Sequence, residues 1–103
     1  MIVLAELTIY PVDRAESLSP YVARCVDVID TSGLAYRCHA MGTVVEGELD
    51  RVMDVVRRCF EVLATDCRRI ECDLRIDYRQ DCAGRIDTKV ASVEQQLGRP
   101  LSK

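Results

Sequence analysis

The sequence predicts an α+β domain: a four-stranded antiparallel sheet with helices on one face, in the order βαββαβ, followed by a C-terminal helix. Three observations carry that expectation. Residues 69–79 alternate strictly, with Ile70, Cys72, Leu74, Ile76 and Tyr78 on one side and Glu71, Asp73, Arg75, Asp77 and Arg79 on the other, the period of a half-buried strand. Residues 49–64 repeat apolar side chains at helical spacing. Between the N-terminal elements and that helix, two short half-apolar runs flank Met41-Gly42-Thr43, as in a strand–turn–strand. With 103 residues, 49% of them hydrophobic and 30% charged, the chain reads as a single globular domain spanning residues 1–103.

Residues 2–12 form the first strand, with Val3, Ala5, Leu7 and Ile9 toward one face and Leu4, Glu6, Thr8 and Tyr10 toward the other. Pro11 ends its ladder, because proline has no N–H to donate. Ser19-Pro20 opens the first helix. The serine is placed to cap, and the proline sits in the first turn, where a missing N–H costs nothing. Val22, Cys25, Val26 and Ile29 give that helix its apolar face, and Gly33 is expected as a left-handed cap. Residues 34–40 and 43–47 are the second and third strands. The helix over 49–64 buries Leu49, Val52, Val56, Cys59 and Leu63, with Met53 and Phe60 alongside. A last helix over 87–97 turns Ile86, Val90, Val93 and Leu97 toward the core before Gly98 and Pro100 stop it. This order matches the split βαβ, or ferredoxin-like, arrangement.

Composition narrows the function. One Phe, four Tyr and no Trp leave few platforms for base stacking. The net charge of -3 opposes phosphate-backbone binding, so no nucleic-acid partner is expected. No segment is long and apolar enough to span a bilayer, and the opening MIVLAELTIYPV reads as a strand and not as a signal peptide. A cytoplasmic location is the resulting expectation. None of the six cysteines, at 25, 38, 59, 67, 72 and 82, stands in a C-x-x-C pair, and no zinc or redox spacing is present. Cys25, Cys59 and Cys72 fall on apolar faces as small hydrophobes; Cys67 and Cys82 fall in loops, as exposed thiols.

No catalytic constellation emerges. His39 is the only histidine. Its neighbour Cys38 points to the opposite side of the strand, which disfavours a Cys–His pair. The carboxylates Glu6, Glu46 and Asp77 are not fixed as a pair by spacing. No metal site, glycine-rich phosphate loop or dinucleotide fingerprint is present, and no cofactor is expected. What remains is residues 36–47, YRCHAMGTVVEG, where a hydroxyl (Thr43), a thioether (Met41), an imidazole (His39) and a carboxylate (Glu46) are expected close together, a mixture suited to a small polar ligand. The face left open by the helices is expected to carry Glu6, Thr8, Tyr10, Arg37, His39 and the charged side of the last strand, with Glu46 as a further candidate for it. Its burial against a second copy would stabilise a domain of this size.

Across nearly its whole length the sequence resembles the small thiamine-binding protein family. The resemblance rests on Ser17-Leu18-Ser19 with Tyr21-Val22, on Tyr36 followed by Met41-Gly42-Thr43-Val44-Val45-Glu46-Gly47, and on Arg75-Ile76-Asp77-Tyr78-Arg79. It implies a ferredoxin-like fold, assembly into homodimers or homotetramers, and non-catalytic binding of thiamine or its hydroxymethylpyrimidine portion. It implies a pocket at Ser19, Tyr36, Met41, Thr43 and Glu46. In that pocket Glu46 would meet the amino group or a protonated ring nitrogen, and Met41 and Tyr36 would contact the flat ring. Three alternatives stand beside it: a regulatory or assembly module sensing another metabolite, a small oligomeric enzyme using His39, and a structural partner-binding domain.

Overall fold

The computed structural model describes residues 1–14 and 16–103. Seven elements follow in order: β1 (Ile2–Pro11), α1 (Ser19–Thr31), β2 (Ala35–His39), β3 (Gly42–Glu48), α2 (Leu49–Ala64), β4 (Ile70–Tyr78) and α3 (Arg85–Leu97). The strands form one antiparallel sheet in the order β2-β3-β1-β4, the ferredoxin-like arrangement.

The register explains the layers. Ala5 lies opposite Val45 on one side and Ile76 on the other, and Leu7 lies opposite Thr43 and Leu74. Side chains alternate, so Val3, Ala5, Leu7, Ile9, Thr43 and Val45 share one face, and all of them are buried. Helices α1 and α2 cover that face, adding Cys25, Val28, Ile29, Val52, Val55, Val56, Cys59 and Leu63 to a single core. Cys59 and Leu63 retain no exposure. The other face carries Leu4, Glu6, Thr8, Tyr10, Val44, Glu46 and the charged side of β4.

Helix α2 starts and stops where its period predicts, and Gly33 adopts the expected left-handed conformation at φ 80°. Elsewhere the boundaries and faces shift. Leu18, not Ser19, is the N-cap of α1; Ser19 is its first helical residue and no side chain caps the helix. The buried face of α1 is Cys25, Val28 and Ile29, while Val22 is exposed. In α2, Val55 is buried and Met53 is exposed. Cys67, expected as an exposed loop thiol, is buried against the core.

The main difference concerns α3. It begins at Arg85, and its Val93 and Leu97 are about half exposed instead of buried in the core. Its first turn is tied to the opposite sheet face by polar contacts. The Arg85 N–H donates to Glu46 Oε2 at 2.9 Å, the Arg85 guanidinium pairs with Asp77, and Lys89 Nζ lies 2.9 Å from Asp77 Oδ2. Arg37 on β2 pairs with Asp87. Helical periodicity finds an apolar stripe but cannot say which layer receives it. Two carboxylates on the far face capture α3 here.

Candidate functional site

An apolar cleft of about 270 Å³ opens on the helix-covered side of the sheet. Its floor is Leu7 and Ile9 of β1. One wall is the α1 face from Leu18 through Val22, Cys25 and Val26 to Ile29, and the other is the β2–β3 hairpin with Cys38, Met41, Gly42 and Thr43. The cleft lies where α1, packed on β1 and β2, runs beside the β2–β3 hairpin. No Asp, Glu, Lys or Arg lines it. A volume near the lower end of small-ligand pockets, about 300–1,000 Å³, suits a single ring better than a long molecule.

The hairpin is held against β1 at short range. Thr8 Oγ1 donates to the Met41 carbonyl at 3.1 Å. A Cβ at Gly42 would lie 2.8 Å from Thr8 Oγ1 and 3.0 Å from the Leu7 carbonyl oxygen, so only glycine allows the turn to close on β1. Thr43, 5% exposed, follows directly and faces the cleft. Met41 stands at the tip, 81% exposed, as a mobile-length apolar side chain over the entrance.

The structure divides the five residues singled out from the sequence. Met41 and Thr43 line the cleft together. Ser19 is exposed on the first turn of α1, next to the cleft residue Leu18. Tyr36 lies farther along β2, on the same side of the sheet, half-buried against the core. Its hydroxyl donates to Asp30 Oδ1 at 2.7 Å, and that carboxylate holds the phenol above its usual pKa. Glu46 is three residues from Thr43 and therefore on the other sheet face, 7% exposed beneath α3. Strand alternation alone separates the hydroxyl from the carboxylate. His39 borders the cleft as part of the hairpin, but its Nε2 lies 3.9 Å from Glu6 Oε2 on the open face. The sequence marks Val22 and Val26 only as part of the apolar face of α1, not as a cleft wall. Their apolar spacing was visible, but it does not distinguish a core face from a cleft wall.

A second hollow, on the opposite face, has a different character. Leu4 and Val44 form its base, and Glu6, Arg75, Asp77 and Lys89 surround it. Among the described residues, no group of three or more His, Cys, Asp or Glu side chains is arranged to hold a metal. Among the described residues, no helix is long and apolar enough to cross a membrane.

Comparison with known proteins converges on one family. A family model described as thiamine-binding protein matches residues 5–94. The UPF0045 protein MJ1052 of Methanocaldococcus jannaschii is 32% identical over 91 residues, covering 88% of this chain and 91% of that protein. A UPF0045 protein of Synechocystis is 37% identical over 98 residues, covering 94% of this chain and 81% of its own length. Among solved structures, that of MJ1052 superposes with a TM-score of 0.85 at 31% identity, covering 91% of this chain and 97% of the other. A Thermotoga maritima protein provisionally assigned to thiamine biosynthesis or salvage superposes with a TM-score of 0.80 at 26% identity, covering 90% and 99%.

Proposed function

The chain belongs to the thiamine-binding protein family, and from that premise we propose that it is a non-catalytic binding protein whose ligand is the hydroxymethylpyrimidine ring, free or as part of thiamine. The observation that carries this reading is the cleft between α1 and the β2–β3 hairpin, apolar, uncharged and sized for one ring. A flat heterocycle buries its faces against Leu7, Ile9 and Val22, while its polar edge meets the Thr43 hydroxyl and the backbone of the hairpin turn. In this reading Met41 and Thr43 contact the ligand, Ser19 and Tyr36 flank the site, and Glu46 holds α3 in place. The thiazolium portion of thiamine, being cationic, stays outside the cleft, because no carboxylate lines it.

The protein acts as a homo-oligomer. Half-exposed Ile76, Tyr78, Val93 and Leu97 are apolar area that association removes from water. Six free cysteines fit a reducing, cytoplasmic setting. A second reading, a module sensing a charged metabolite, draws on the hollow ringed by Glu6, Arg75, Asp77 and Lys89.

Titration calorimetry with hydroxymethylpyrimidine and with thiamine separates these readings. Expected is saturable binding of both, weakened at least tenfold by Val22→Glu, which places a charge in the cleft wall, and unaffected by Arg75→Ala. Binding that survives Val22→Glu and disappears with Arg75→Ala would move the site to the opposite face.

A further inference from the structure

The cleft ends on sulfur. Cys25, on the α1 wall, is 3% exposed and lines it; Cys59 of α2, with no exposure, lies behind. The Cys59 thiol donates to the Cys25 carbonyl oxygen at 3.7 Å, so its sulfur already sits beside the Cys25 backbone. We infer that Cys25 and Cys59 form an oxidisable dithiol at the back of the ligand cleft, a modification site for a peroxide that closes to a disulfide joining α1 to α2.

The two thiols differ in a way that orders the chemistry. Hydrogen bonding between them holds the Cys25 thiol below its usual pKa, and the same contact together with burial pushes Cys59 up. Cys25 is thus the easier of the two to ionise and the one that lines the cleft, so it reacts first; Cys59 stays enclosed. The Cys25 thiolate attacks one oxygen of the peroxide. The O–O bond breaks, the leaving oxygen takes a proton to depart as water or an alcohol, and Cys25 becomes a sulfenic acid. Cys59 then attacks that sulfur, an S–S bond forms, and the sulfenic oxygen leaves as water with the Cys59 proton. Two thiols are oxidised and one peroxide is reduced, with no further reactant. Cys59 has no route to solvent of its own, so access runs through the cleft, and a ligand seated there shields Cys25. That shielding rests on the cleft being the ligand site; the dithiol itself does not.

The test uses the full chain carrying Cys38→Ser and Cys82→Ser, which removes an exposed and a half-exposed thiol. It is treated with hydrogen peroxide and read by intact mass and peptide mapping. Expected are loss of two hydrogen atoms, a Cys25–Cys59 linked peptide, and full reversal by a dithiol reductant. Adding Cys59→Ala should stop the reaction at a Cys25 sulfenic acid, seen as one added oxygen trapped by a dimedone reagent. If that variant does not fold, the linked peptide in its parent decides alone. Oxygen addition without the link, or a link only between other cysteines, would overturn the dithiol. Hydroxymethylpyrimidine at saturation should slow linkage at least tenfold; linkage at an unchanged rate would leave the dithiol standing and count against the cleft as the ligand site.

Discussion

Removing the charge of Glu46 should loosen α3 without disturbing the cleft. Gly84, the N-cap of α3, has no side chain to offer the helix N-terminus. Glu46 supplies the acceptor from another strand, 2.9 Å from the Arg85 N–H and 7% exposed. A hydrogen bond to a charged group contributes about 1.5–3 kcal/mol. An anion at a partly buried helix N-terminus accounts for up to about 2 kcal/mol of that same contact, so the two figures describe one interaction. Glu46→Gln keeps the size and one acceptor oxygen and loses the charge, a cost of about 1 kcal/mol. Glu46→Ala removes the acceptor altogether, at about 2–3 kcal/mol. For a domain of this length, about 1 kcal/mol corresponds to roughly 4 °C in Tm, giving drops of about 4 °C and about 8–12 °C. Amide exchange at Thr88 and Lys89, near the N-terminus of α3, should accelerate about fivefold in Glu46→Gln. Thermal unfolding and hydrogen exchange read both effects. Wild-type Tm in both variants, with unchanged exchange in α3, would refute the assignment of Glu46 as the anchor of this helix.

Two further outcomes follow from named contacts. Gly42→Ala sets a methyl group 3.0 Å from the Leu7 carbonyl oxygen, a backbone atom that cannot rotate away; a loss of about 1–3 kcal/mol is expected in denaturant unfolding, together with weaker ligand binding as the hairpin lifts from β1. Asp66 is held down to a pKa of about 2, first by its hydrogen bond from Arg24. The folded value lies below the unfolded one, so its contribution to stability is present above about pH 4 and is lost as pH falls toward 2. Asp66→Asn should flatten that part of the acid unfolding curve, and an unchanged curve would contradict the pairing.

Much of the fold was legible because the chain's periods are clean. The alternation in β4 and the helical repeat in α2 placed both elements to within a residue, and four alternating β1 residues identified the buried sheet face. What escaped notice is tertiary in origin. The apolar stripe of α3 gave no indication that Glu46 and Asp77 would draw the helix to the far face. The N-cap of α1 moved from Ser19 to Leu18, since a serine before proline satisfies the capping pattern whether or not its hydroxyl is used. The candidate site was half legible. Met41-Gly42-Thr43 marked the hairpin, and the need for glycine there has a direct cause in the approach of Thr8 and Leu7. Of the two places open to Glu46, the pocket with Thr43 and the open face, the strand period favours the second, because residues three apart lie on opposite faces. The α1 wall could not be separated from the core by spacing, because a cleft wall and a core face demand the same residues.

The central claim is the place of the ligand, and methyl-resolved NMR tests it most directly. Hydroxymethylpyrimidine titrated into methyl-labelled protein should shift Leu7, Ile9, Val22, Val26 and Met41, which surround the cleft, and leave Leu4 and Val44 of the opposite face unmoved. Shifts confined to Leu4 and Val44 would contradict the account.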